Sequence, residues 1–129
     1  IILLYITDYQ EGVIRTMDNK SNFRRGSVEL LILHLLQEKD YYGYELSQNI
    51  KSRSNGIIDI PVGSLYPALY KLIDNGYITD YKQQAGKRLV RVYYHIEDSG
   101  VERLKLLLED YYSTNEGIQR ILNYENESA

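Results

Sequence analysis

"IPVGSLYPALYKLIDNGYI", residues 60–78, reads as one helix and its exit, with a glycine stop at Gly76. At about 100° per residue, Leu65, Leu69 and Leu72 fall in one apolar arc, and Gly63, Ser64, Pro67, Tyr70 and Lys71 lie opposite. That second face is too poor in charge for an ordinary solvated helix and too polar for a core. It is the surface on which function is to be sought. Pro67 deep in a helix would remove a hydrogen bond and crowd the preceding turn. It is harmless if the helix begins at Gly63 or Ser64, within the first turn whose N–H groups lack partners anyway. A start at Pro61 would instead imply a bend near Gly63.

Outward from this helix, "SVELLILHLLQEKD" is apolar over too broad a face for a surface helix and predicts a central helix 1 at about 27–38. Ser27 is its expected N-cap, and Glu29 suits its first turn. "YYGYELSQNIKSRSNG" places Tyr42, Leu46 and Ile50 at i, i+4 and i+8, with Gly56 as the stop of helix 2. The stretch 60–78 is helix 3. After Gly76 the period changes to two: Val90, Val92, Tyr94 and Ile96 alternate with Arg91, Tyr93 and His95. With "YITDYKQ" before and "QAGKR" between, the pattern predicts an antiparallel hairpin with a basic tip. A long helix 4 follows from Asp98 or Ser99, with an apolar stripe of Val101, Leu104, Leu107, Leu108, Tyr111 and Tyr112.

Three helices followed by a two-stranded ribbon is the order of a winged helix-turn-helix, in which the third helix enters the DNA major groove. The expected fold is thus mainly α with a small β-hairpin, a winged helix-turn-helix domain plus a C-terminal dimerisation helix. The 129 residues suffice for one core without staples, and the absence of cysteine excludes disulfides and thiol chemistry. No stretch is long and apolar enough for a bilayer span, so no membrane partner and a cytoplasmic setting are expected. The net charge of −3 is unevenly spread. Residues 50–96 carry seven bases against three acids, and residues 97–129 carry three against eight. An anionic partner for the middle of the chain follows from that asymmetry.

The segments "RRGSVELLILHLLQEKDYYGYELSQNI", "VGSLYPALYKLIDNGYI" and "GKRLVRVYYHIEDSG" resemble, in order and spacing, the PadR family of bacterial transcriptional regulators, over roughly residues 25 to 112. The resemblance implies a dimeric DNA-binding repressor whose last helix dimerises; in some relatives an aromatic or phenolic effector releases DNA. Relatives commonly have threonine where this chain has Glu97, and the short tail resembles the single-helix subfamily.

Candidate DNA ligands are Ser64, Tyr66, Pro67, Tyr70 and Lys71 on helix 3, with Tyr66 on the flank of its wheel. Lys87 and Arg88 at the hairpin tip and Arg24 and Arg25 before helix 1 are candidate phosphate contacts. Candidate dimer contacts are Val101, Leu104, Leu107, Leu108 and Tyr111. The organisation expected is a leader or extra helix at 1–16, the DNA-binding domain at 17–96, and the dimerisation helix and tail at 97–129.

No catalytic constellation, cofactor motif or metal spacing is present, so an enzyme is not expected. His34 and His95 read as packing histidines. The fourteen tyrosines, against one phenylalanine, fit core and interface before an effector pocket. The competing reading is a winged-helix module for protein interaction without DNA. Its main support is the negative net charge.

Overall fold

The structure, a computed structural model, describes residues 24–126; the expectation for residues 1–16 lies outside them. The elements are α1 (Ser27–Glu38), β1 (Tyr41–Tyr42), α2 (Gly43–Arg53), α3 (Val62–Asp74), β2 (Ile78–Gln84), β3 (Val90–Ile96) and α4 (Asp98–Leu122). They form the mainly α winged helix expected, with one addition. The sheet has three antiparallel strands in the order β1-β3-β2, not two.

The extra strand corrects the reading of Tyr42 as the start of helix 2. Tyr41 and Tyr42 pair with Tyr94 and Tyr93, and the helix begins at Gly43. The Tyr42 N–H donates to the Glu45 carboxylate at 3.2 Å, half of a capping box. Leu46 and Ile50 are buried as the spacing predicted. Gly56 stands beyond the end of α2 as expected, at φ 80°, and Asn55 before it joins the stop. Asn55 takes φ 53°, and the Asn55 and Gly56 N–H groups donate to Ser52 and Lys51 carbonyls. The exit of α3 follows the same geometry with Gly76 at φ 77°. Its positive φ explains the glycine.

α1 has the predicted bounds but not the predicted cap. Gly26 occupies the N-cap position, and the Ser27 hydroxyl donates to the Arg24 carbonyl at 2.6 Å. Ile32, Leu33 and Leu36 of α1 close the core with Leu46, Leu65, Leu69, Leu72 and Ile78. Each contributes about 1.5–3 kcal/mol by burial. Arg53 clasps the Glu38 carboxylate at 2.9 Å through two nitrogens, fastening the end of α2 to the end of α1.

α4 corrects the dimerisation stripe. Leu104 is 2% exposed and belongs to the chain's own core, so it has no surface for a second copy. Val101 is half-buried, and Leu107 and Leu108 pack against the same core. Arg103 reinforces this seat through an ion pair with Glu29 of α1 at 2.9 Å. Tyr111, of the expected set, stays 50% exposed. At the start of α4 the Glu97 side chain does not cap the helix; its carboxylate accepts from the Thr79 hydroxyl at 2.7 Å instead.

Candidate nucleic-acid interface

α3 runs from Val62, with Pro61 as N-cap, so the expected start at Gly63 or Ser64 is corrected. Pro67 is therefore the sixth residue of the helix and withholds the N–H that the Gly63 carbonyl would have accepted. The helix tolerates this because Leu65, Leu69 and Leu72 anchor the opposite side in the core. Gly63, Ser64, Pro67, Tyr70 and Lys71 are all exposed, sharing one face as the wheel predicted. The Ser64 and Tyr70 hydroxyls and the Lys71 ammonium make no side-chain hydrogen bond or ion pair among the described residues. Three polar groups on one helix face are thus available to a ligand.

Tyr66 behaves differently. It is half-buried, and its ring and hydroxyl lie where a side chain on Gly43 would have to go. It packs α3 onto α2, so the reading as a DNA ligand is corrected to a helix-packing role. Its ring also lies 6.3 Å from that of Tyr70, which it supports from behind.

The first N–H groups of α3, at Val62 and Gly63, have no partner among the described residues. They open beside a groove of about 840 Å³ lined by Arg24, Arg25, Ser64 and Ala68 together with the α2–α3 connection. Helix N–H groups and arginines together suit phosphate oxygens. Arg24 has a second role, since its guanidinium donates to the Ile57 carbonyl at 2.7 Å and ties the chain to that connection. Arg25 is exposed and unpaired among the described residues.

Lys87 and Arg88 stand at the hairpin tip, closed by the Ala85 N–H donating to the Leu89 carbonyl at 2.8 Å. Both are exposed without ion-pair partners among the described residues. With seven-residue strands the tip reaches about 20 Å from the base of the sheet. Lys82, one of the seven bases of residues 50–96 but not among the candidate DNA ligands, is also exposed and unpaired among the described residues, and it lies opposite Val92 on the sheet face shared with buried Tyr94. Its position in the alternation was the available signal.

The outer face of the sheet carries a second group that went unread. Tyr42, Tyr93 and Tyr81 align across the three strands, with Tyr93 and Tyr81 stacked at 5.7 Å and Arg91 above Tyr42 at 4.5 Å. Next to them Asp40 accepts a hydrogen bond from Tyr81 and faces His95 Nδ1 at 2.8 Å. The two histidines are therefore not packing residues. His95 is exposed on this face, and His34 is exposed 3.7 Å from Glu38. Beneath the sheet, burial pushes the Tyr94 phenol up to about 12, with Tyr66 and Tyr70 adding to it. Tyr94 stays neutral there and serves as core. No group of metal-ligating side chains occurs among the described residues, and no helix among them could cross a membrane.

Residues 32–106 match the Transcriptional regulator PadR-like family. An uncharacterized protein of Lysinibacillus sphaericus is 33% identical over 97 residues, covering 75% of this chain and 89% of that one. The Transcriptional regulator YqjI of Escherichia coli is 32% identical over 68 residues, 53% of this chain and 33% of its own longer one. Among solved structures, a transcriptional regulator from Clostridium thermocellum superposes with TM-score 0.73 at 37% identity, covering 78% of this chain and 97% of that one. A PadR-like transcriptional regulator from Bacillus cereus gives 0.70 at 27% identity, covering 81% and 100%. The family match spans more than half of the chain, and the chain belongs to the PadR-like family of transcriptional regulators.

Proposed function

We propose that this regulator is a repressor that binds double-stranded DNA as a homodimer and is released by a small aromatic effector. The observation that carries the DNA reading is the exposed face of α3, whose Ser64, Tyr70 and Lys71 polar groups make no side-chain hydrogen bond or ion pair among the described residues, beside the groove that Arg24 and Arg25 line. Ser64, Pro67, Tyr70 and Lys71 meet base edges in the major groove. Arg25, Lys87 and Arg88, with Arg24 behind, meet phosphate. On this reading the DNA-binding unit is residues 17–96, and residues 97–129 are the dimerisation helix and tail. The negative net charge does not oppose it, because residues 97–129 carry eight acids against three bases, whereas residues 50–96 carry seven bases against three acids.

Dimerisation is supported by the second half of α4. The stripe that packs Leu104, Leu107 and Leu108 inward continues through Tyr111, Ile118 and Leu122, which are exposed. A helix projecting about 20 Å past its own core gains little from propensity alone and calls for a partner. A second copy, related by a two-fold axis, covers both stripes at once. Tyr111 and Tyr112, edge to face at 5.1 Å, would then supply aromatic walls for an effector at that interface. Release by such a ligand is the finer part of the proposal. The test is binding to DNA immediately upstream of the protein's own gene at several salt concentrations. About six neutralised phosphates predict a slope of log K against log salt near −5. A slope near zero, or equal affinity for random duplexes, overturns the reading.

A further inference from the structure

The DNA-reading face of α3 has an unusual inventory. In the major groove, Arg and Lys select guanine, Asn and Gln adenine, and Asp and Glu cytosine, while apolar groups select the thymine methyl. From Val62 to Lys71 the helix contains no Arg, Asn, Gln, Asp or Glu. Its one cation, Lys71, follows Pro67 by one turn on the same face, so any guanine contact rests on that residue alone. Ser64 can bond either kind of pair and discriminates weakly. What remains at the centre of the face is Pro67, flanked by the exposed ring of Tyr70. Asp74, on the same side, comes one turn later, at the C-terminal end, beyond the part of a recognition helix that enters the groove.

Pro67 stands where a helix would gain by almost any other residue, because it withholds a hydrogen bond and crowds the preceding turn. It makes no contribution to the core, being exposed. Its pyrrolidine ring is a rigid apolar knob that loses no side-chain freedom on contact. Gly63, one turn earlier, has no side chain, and nothing lies within 4 Å of where one would be, so the backbone beside the knob can approach a base closely.

We infer that the operator half-site is read through thymine methyl groups, with Pro67 as the principal contact. This rests on the DNA-binding reading above and names what that site selects. Guanine recognition is minor, confined to Lys71, so half-sites made only of G·C pairs are rejected.

The experiment begins with selection of duplexes from a random pool by the full chain. Each thymine of the enriched site is then replaced singly by deoxyuridine, which removes only the methyl group. At one or more thymines in each half-site, affinity falls about fourfold per methyl lost. Pro67→Ala keeps the helix, restores an N–H, and binds thymine and uracil versions of that position equally, with an unchanged salt slope. A pool that does not enrich overturns sequence-specific DNA binding itself. An enriched site at which every uracil is neutral overturns this inference alone. A uracil penalty that persists undiminished in Pro67→Ala overturns the assignment to Pro67.

Discussion

Asp40 serves two partners from different strands, Tyr81 at 2.7 Å and His95 at 2.8 Å. Burial would raise its pKa, but the hydrogen bonds from Tyr81 and His95 outweigh it and hold the carboxyl below its usual value. The bond to Asp40 in turn raises His95, against a smaller effect of burial. Because the folded pKa of His95 lies above the unfolded one, its stabilisation is complete below the unfolded value, roughly 6.5, and is lost as pH rises through the folded value. Asp40 works in the opposite sense, its contribution lost only as acid takes the pH down through its lowered pKa. Both side chains are partly exposed, so solvent screens the pair and the effect is small. The expected outcome is a modest fall in melting temperature of the wild type from about pH 6 to 8, absent in Asp40→Asn. In that variant the His95 ring, followed by nuclear magnetic resonance, titrates lower than in the wild type. Equal titration in the two proteins excludes the pair. None of this was legible in the sequence, because residues 40, 81 and 95 meet only through the register of a three-stranded sheet. Alternation alone placed His95 on the outer face, and the packing role assigned to it overlooked that.

At the scale of elements, legibility tracked length and periodicity. α1 was bounded correctly because its broad apolar face continues for three turns, and β3 because Val92 and Tyr94 alternate with Arg91 and Tyr93. β1 has two residues, too few for any period, and its tyrosines were absorbed into the helix that follows. On α3 the exposed face was read correctly from the leucines opposite, whereas Tyr66 on the flank was decided by a bare glycine on another helix. The wing tip has a distinct expected behaviour. Lys87→Ala with Arg88→Ala weakens operator and scrambled duplexes alike and reduces the salt slope by about 2, as measured by titration at several ionic strengths. Changes at Ser64 or Tyr70 instead alter discrimination between duplexes, by about 1–3 kcal/mol per lost contact. Identical behaviour of the two classes would refute this division. The joint between wing and α4 is rigid for a steric reason. A side chain at Gly100 would collide with the Tyr77 carbonyl, a backbone atom that is itself held by the Glu97 N–H at 2.9 Å. Gly100→Ala is expected to destabilise the fold by about 1–3 kcal/mol in denaturant unfolding. A neutral result would mean that α4 can shift on the turn after α3.

The molecule as a whole has one helix longer than its body needs. A single apolar stripe runs the length of α4, and sequence alone could not say where its intramolecular use ends. The structure divides it: Leu104, Leu107 and Leu108 seal the core, while Tyr111, Ile118 and Leu122 extend past it with exposures of 50%, 39% and 72%. Charges on the other sides, including the Glu116–Arg120 pair at 2.7 Å, keep those sides in solvent. This division sets which substitutions separate assembly from folding. Leu104→Glu would bury a carboxylate in the core and is expected to unfold the chain, so it says nothing of dimerisation. Ile118→Glu with Leu122→Glu leaves the core untouched and places like charges across the proposed two-fold. The expected result is a folded monomer by light scattering, with unchanged melting of the winged-helix signal at low concentration. If dimerisation also sets DNA affinity, that monomer reaches each half-site as before but loses the tethering that makes the second contact intramolecular. Operator affinity then falls by about 100-fold or more, while the affinity of an isolated half-site stays the same. A variant that remains dimeric would place the interface elsewhere on the molecule. A monomer that held the full operator as tightly as the wild type would show that one protomer suffices.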